Sequence, residues 1–271
     1  MTEALGFEFF RNALLAGLLA SVICGVIGSL VVVNRIVFLA GGVAHASYGG
    51  VGLAFFLGLP VLPVTTVFAT LAALGMAWVT LDARERSDTV VGVLWAAGMA
   101  LGIILLDLTP GYNADLMSYL FGSILAVPKA DLLLMAGLSG VVLLLAALFS
   151  RGLLVMSFDA EFARSRGVPV RFLHFLLLGL VAVCVVLVIR VVGLILVLAL
   201  LTIPPFMAER RARSLPGMML LSACLSAAFC VAGLYLSYAL DLTSGASIIA
   251  VACLGFGLSA VWPARGPGAA A

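Results

Sequence analysis

From Ala13 to Val33 the chain runs for 21 residues without a charge. A helix rising 1.5 Å per residue needs about 20 largely apolar residues to cross a hydrocarbon layer ~30 Å thick. The pattern recurs, with apolar segments at 13–33, 36–59, 61–81, 89–106, 132–150, 172–189, 191–208, 217–240 and 242–262. The connections at Pro60 and Arg190 are so short that the flanking pairs read as tight hairpins or broken helices, giving eight or nine spans. Only 10% of the 271 residues are charged and 65% are hydrophobic, with a mean hydropathy of +1.31. Soluble domains have about 25% charged residues, so a water-facing surface cannot be assembled here. The expected fold is all-α, a polytopic transmembrane helical bundle, with residues 1–271 forming one membrane domain. A net charge of +2 gives no electrostatic basis for a nucleic-acid partner.

Glu3 and Glu8 precede the first base, Arg11, whereas a secretory signal opens on a basic region. The N-terminal run therefore reads as a retained first span. Loop charges orient the bundle. With nine spans and the N-terminus outside, the inner side collects Arg35, Arg84, Arg86, Arg151, Arg164, Arg166, Arg171, Arg210, Arg211, Arg213 and Arg265, which is 11 of the 14 basic residues. The positive-inside rule favours this N-out, C-in arrangement. It leaves Asp107, Asp115, Asp131 and Asp241 at the outer face, suited to a cationic substrate or simply solvating helix ends. Cys24, Cys184, Cys224, Cys230 and Cys253 lie in apolar runs without a C-x-x-C pair and read as small hydrophobes.

An ionisable side chain deep in a span is a functional candidate by default. His45 lies nine residues beyond Ile36, ~14 Å into the second span and close to the bilayer midplane. Gly41 and Gly49 lie one turn away on its face, with Gly42, Ala46 and Gly50 beside them, which predicts open space around the ring. Imidazole suits zinc and other first-row divalent ions. Two roles stay open at this level: an ion ligand, or a hydrogen-bonded link to a neighbouring helix. His174, near the start of the sixth span, reads as an interfacial structural residue.

Residues 157–167 read as a short helix between two spans. Asp159 is its cap, Glu161 stands in the first turn, and Arg164 and Arg166 stand in the last, with Gly167 and Pro169 as stops. Phe158 and Phe162, four residues apart, suit either a partner surface or a fold back onto the bundle. The chain has no G-x-x-x-x-G-K-[ST], H-E-x-x-H or G-x-S-x-G, so it lacks the residues for ATP binding through a P-loop and for hydrolysis by those designs.

Five segments taken in order resemble the integral-membrane permease of the zinc/manganese-type ABC importers, over about residues 12–262. Gly28-Ser29, Arg35 and Ala44-His45-Ala46 are similar to the family's early motif, and Asp115-Leu116-Met117-Ser118-Tyr119-Leu120-Phe121-Gly122 to its D-L-x-x-Y-L-F-G stretch. Residues 157–167 correspond to its coupling helix. Val192-Gly193 through Ala199-Leu200-Leu201 and Ile203-Pro204 match its G-x-L-L…A-L-L-x-x-P region, and Leu236-Ser237-Tyr238, Asp241 and Ser244-Gly245 its final motif. The resemblance implies a homodimer in the cell (inner) membrane that binds no cofactor of its own. Two cytosolic ATPase subunits would use the ATP and dock on Asp159, Glu161, Phe162, Ala163 and Gly167. An extracytoplasmic metal-binding protein would deliver the ion. It further implies a transport protein rather than an enzyme, importing a divalent transition metal: Zn(II) first, then Mn(II) or Fe(II). His45 would be a transient site on the path and Asp115 a residue of the outer vestibule. Many members have an aspartate one turn before the motif histidine; here that position is Gly41. An ion-gradient carrier would need intramembrane carboxylates, which the spans lack, and a membrane enzyme would have a single buried histidine to work with.

Overall fold

The structure, a computed structural model, describes residues 6–82, 87–110, 124 and 127–261. Among these residues there are ten helices: α1 (Glu8–Val33), α2 (Val37–Leu57), α3 (Val61–Asp82), α4 (Ser87–Asp107), α5 (Lys129–Phe158), α6 (Ala160–Ser165), α7 (Val170–Val192), α8 (Leu194–Glu209), α9 (Leu215–Leu240) and α10 (Ser244–Val261). Seven of them, α1 to α5, α7 and α9, are long and apolar enough to cross a membrane, and α8 and α10 are shorter apolar helices. Each of the nine apolar segments read from the sequence is therefore a helix, with α6 lying between two of them.

The helices sort by burial. Among the seven long spans α1, α2 and α7 are the most enclosed, and α1 packs against α5, α8 and α9. The larger apolar core joins Ile23, Ile27 and Leu30 of α1 to Leu177, Val181 and Val185 of α7 and to Leu196, Val197 and Leu200 of α8. A second core unites α2, α3, α4 and α7 through Val43, Met76, Val91, Leu178 and Val186. Helices approach closely in lipid where small residues meet. A Cβ on Gly102 of α4 would lie 2.5 Å from the Tyr48 carbonyl oxygen, and one on Gly98 would lie 2.6 Å from Ala46 Cα. These glycines draw α4 onto α2, bringing the α4 side chains to the His45 region.

One boundary differs from the sequence reading. Arg190 does not divide the sixth and seventh segments; it stands in the last turn of α7, and the break falls at Gly193, whose φ of 85° is closed to most side chains. Arg190 reaches instead to Asp131 at 3.2 Å, and this carboxylate is buried near the start of α5. The prolines Pro204 and Pro205 lie inside α8 without ending it. Pro205 has no N–H to offer the Leu201 carbonyl one turn back. A Cβ at Gly28 would lie 2.7 Å from that same oxygen, so α1 fills the defect with a bare Cα.

Polar contacts gather at two ends of the bundle. At one end Lys129 pairs with Glu8 at 2.7 Å, Asp131 with Arg190, and Asn12 Nδ2 donates to the Val127 carbonyl at 3.3 Å. At the other, Asn34 Nδ2 donates to Ser157 Oγ at 2.9 Å, and Thr80 Oγ1 lies 3.3 Å from His174 Nε2. Alternate loops share an end, as a serpentine of spans requires. Arg190→Met would leave the Asp131 carboxylate buried and unpaired. Exposed pairs contribute ~0–1 kcal/mol and breaking fully buried ones costs ~3–5. With Arg190 half-exposed, the expected loss is about 2 kcal/mol, read as a lower melting temperature in detergent, while Lys129→Met should barely move it.

Candidate functional site

His45 sits eight residues into the 21-residue α2, about 12 Å along its axis. Its imidazole lies flat on the indole of Trp95 from α4, with centroids 3.9 Å apart and planes 10° from parallel. The indole is itself held, because Trp95 Nε1–H donates to Met99 Sδ at 3.2 Å one turn further along α4. His45 Nδ1 is buried and has no hydrogen-bond partner among the described residues. Such a group ordinarily costs ~1–3 kcal/mol to leave unmet. Among the described residues this atom forms no link to a neighbouring helix.

The glycines around His45 do not open the space expected of them. A Cβ on Gly49 would strike the Phe68 ring at 2.8 Å, and one on Gly50 would lie 2.8 Å from Thr65 Cα. Gly42 is closed by Val91. These three let α3 and α4 press against α2. Gly41 is different: the nearest atom to a Cβ there would be Leu198 Cδ2, at 3.9 Å. Room therefore exists on one side of the histidine, one turn along α2.

A cavity of about 880 Å³ lies at the end of the bundle that also holds the α1–α2 turn. Phe38, two turns before His45, lines it and also leans on Trp95 at 6.1 Å. Arg35, Asp88, Thr202 and Glu209 supply its polar wall. Among the described residues no three His, Cys, Asp or Glu side chains come together in a way that could hold a metal ion. Asp115 and the whole 115–122 motif lie outside the described residues.

The segment at 157–167 is shorter as a helix than its sequence pattern suggests. Ser157 and Phe158 complete α5, Arg166 is the C-cap, and the new helix spans Ala160–Ser165. Asp159 breaks the chain in an extended conformation, and its Oδ1 accepts from the backbone N–H of Glu161 at 3.0 Å and of Phe162 at 2.9 Å. Gly167 turns away with a φ of 77°. Ala163 is fully buried and seats the helix, while Glu161 is exposed and Phe158 and Phe162 are 80% and 54% exposed. The two rings thus stand outward from separate helices rather than folding onto the bundle. Behind α6, a cavity of about 200 Å³ is lined by Asn34, Thr80, Glu161, Arg164 and His174.

The remaining motif residues shape turns. Ser237 Oγ donates to the Leu242 carbonyl at 2.5 Å, and Asp241 takes the left-handed conformation at the α9–α10 corner. Cys24, Cys184 and Cys230 are buried, while Cys224 and Cys253 face outward. Trp95 and the 880 Å³ cavity were not visible in the sequence. An indole in an apolar span looks like any other, and only the pairing of α2 with α4 gives it a role.

Known proteins match along the whole bundle. The chain is 48% identical over 259 residues to an uncharacterized membrane protein of Synechocystis, covering 96% of this chain and 92% of that one. It is 34% identical to the manganese transport system membrane protein MntC of Halalkalibacterium halodurans, with 95% and 88% covered. It is also 34% identical to the manganese import system permease protein ScaB of Streptococcus gordonii, with 92% and 90% covered. Among solved structures, PsaBC from Streptococcus pneumoniae in complex with Fab superposes with a TM-score of 0.84 at 33% identity, covering 96% of this chain and 93% of that one. Residues 6–262 match the ABC 3 transport family, and with helices, motifs and relatives agreeing over the same length, the chain belongs to that family.

Proposed function

We propose that this chain is the membrane permease of an ATP-driven importer of divalent transition-metal ions, with Mn(II) as its first cargo. The observation that supports this most is the near full-length similarity to membrane subunits named for manganese import. The donor chemistry agrees. Zn(II), placed first by the family resemblance, favours closed sets of thiolates and imidazoles. The described residues offer one mid-span imidazole and no cluster of such groups. A harder ion that accepts carbonyl and water oxygen fits that supply better.

In this reading the chain works as a homodimer in the inner membrane, N-terminus out and C-terminus in, as the basic loops favour. An extracytoplasmic metal-binding protein delivers the ion, and Asp115 belongs to the outer vestibule. His45 is the transient ligand, assisted by water, backbone carbonyls or the second copy's histidine. Cytosolic ATPases dock on Asp159, Glu161, Phe162, Ala163 and Gly167. The exposed phenyl rings and the grouping of residues 157–167 at the same end as Arg35 and Arg210 support that assignment.

The test is uptake into proteoliposomes containing the chain with its ATPase and binding protein, comparing Mn(II), Zn(II) and Fe(II). ATP-dependent accumulation with Mn(II) preferred is the expected result. Accumulation by this chain alone, driven by an ion gradient, would overturn the reading.

A further inference from the structure

An imidazole binds a cation through a lone pair lying in the plane of its ring. The direction of that plane therefore decides whether the nitrogen meets an ion on its path. Histidine's second side-chain torsion is broad, so a lone ring beside the open space at Gly41 would swing. Here it is stopped. Trp95 covers one face of His45 at 3.9 Å and 10°, and the ring's Nδ1 makes no hydrogen bond among the described residues. Met99 Sδ holds the indole N–H, and Phe38 leans at 44° on the indole from the side of the inner cavity. The contact also responds to charge. A ring that becomes cationic on binding a metal is attracted to an aromatic face more strongly than a neutral one.

We infer that Trp95 is a positioning residue for the transported divalent cation: it fixes the plane of the His45 ring and favours its metal-bound form without touching the ion. This rests on the proposal that His45 meets the ion. Trp95 then sets how much metal half-saturates transport and leaves the ATP-driven maximal rate to the coupling machinery.

The test has two arms. In the first, the full chain with Trp78→Phe and Trp262→Phe, in lipid nanodiscs, retains Trp95 as its one indole. Paramagnetic Mn(II) should quench its fluorescence saturably, Mg(II) should not, and adding His45→Ala should remove the quenching. In the second, the permease–ATPase complex in proteoliposomes is assayed across Mn(II) concentrations. Trp95→Leu should raise the half-saturating concentration about tenfold with the maximal rate within about twofold, and Trp95→Phe should recover most of the loss. Absent quenching, or an unchanged half-saturation in Trp95→Leu, overturns the role of Trp95 provided that His45→Ala abolishes uptake. If His45→Ala transports like the wild type, the underlying reading of His45 falls instead.

Discussion

His45→Ala is expected to lower ATP-driven metal uptake by more than about 100-fold, since loss of a group that merely supports a metal ligand already costs ~10–100-fold. The same variant should insert, assemble with its ATPase and retain basal ATP hydrolysis. The side chain is half-buried and packs on the Trp95 ring, so its removal leaves the α2–α4 contact through Gly98 and Gly102 in place. Uptake measured in cells at limiting metal, alongside the amount of assembled complex, separates transport from folding. Wild-type uptake would remove His45 from the path.

The second large effect is expected at α6. Phe162→Asp places a charge on a half-exposed ring position, and Glu161→Arg reverses the charge beside it. Truncating or reversing a central contact of a protein interface commonly costs ~2 kcal/mol or more, about 30-fold in affinity. Both variants should therefore lose permease-stimulated ATP hydrolysis and most ATPase binding, while the permease alone keeps its melting temperature. Ala163 provides a contrast, because it is buried against the bundle and a larger residue there should disturb the seat of α6 as well. Normal complex formation in both surface variants would discard the docking assignment.

The spans were legible because bilayer thickness writes itself into residue count. Long charge-free runs could be read one by one, and each is a helix. Their limits were less legible where a charge stood in for a breaker. Arg190 looked like a loop residue, yet a long side chain can stay helical when it finds Asp131, and the local turn belongs to Gly193. Adjacent prolines ordinarily interrupt a helix, yet α8 continues through Pro204 and Pro205, with Gly28 of α1 packed against the freed Leu201 carbonyl. The depth of His45 followed from counting. Its surroundings did not, because glycine reads equally as empty space or as a place where another helix presses in. Gly41 and Gly49 flank the same histidine and have opposite fates. Trp95 stayed hidden for the related reason that its partner lies on a different helix.

The continuity of α5 has a mechanical consequence. Its 30 residues make a rod about 45 Å long, clasped at one tip by Glu8 and Arg190 and ending at the other beside the Asp159 cap. No proline interrupts it. A push delivered at Phe158 would meet no proline joint along α5, so it would arrive at the Asp131 end as tilt, with that clasp as fulcrum.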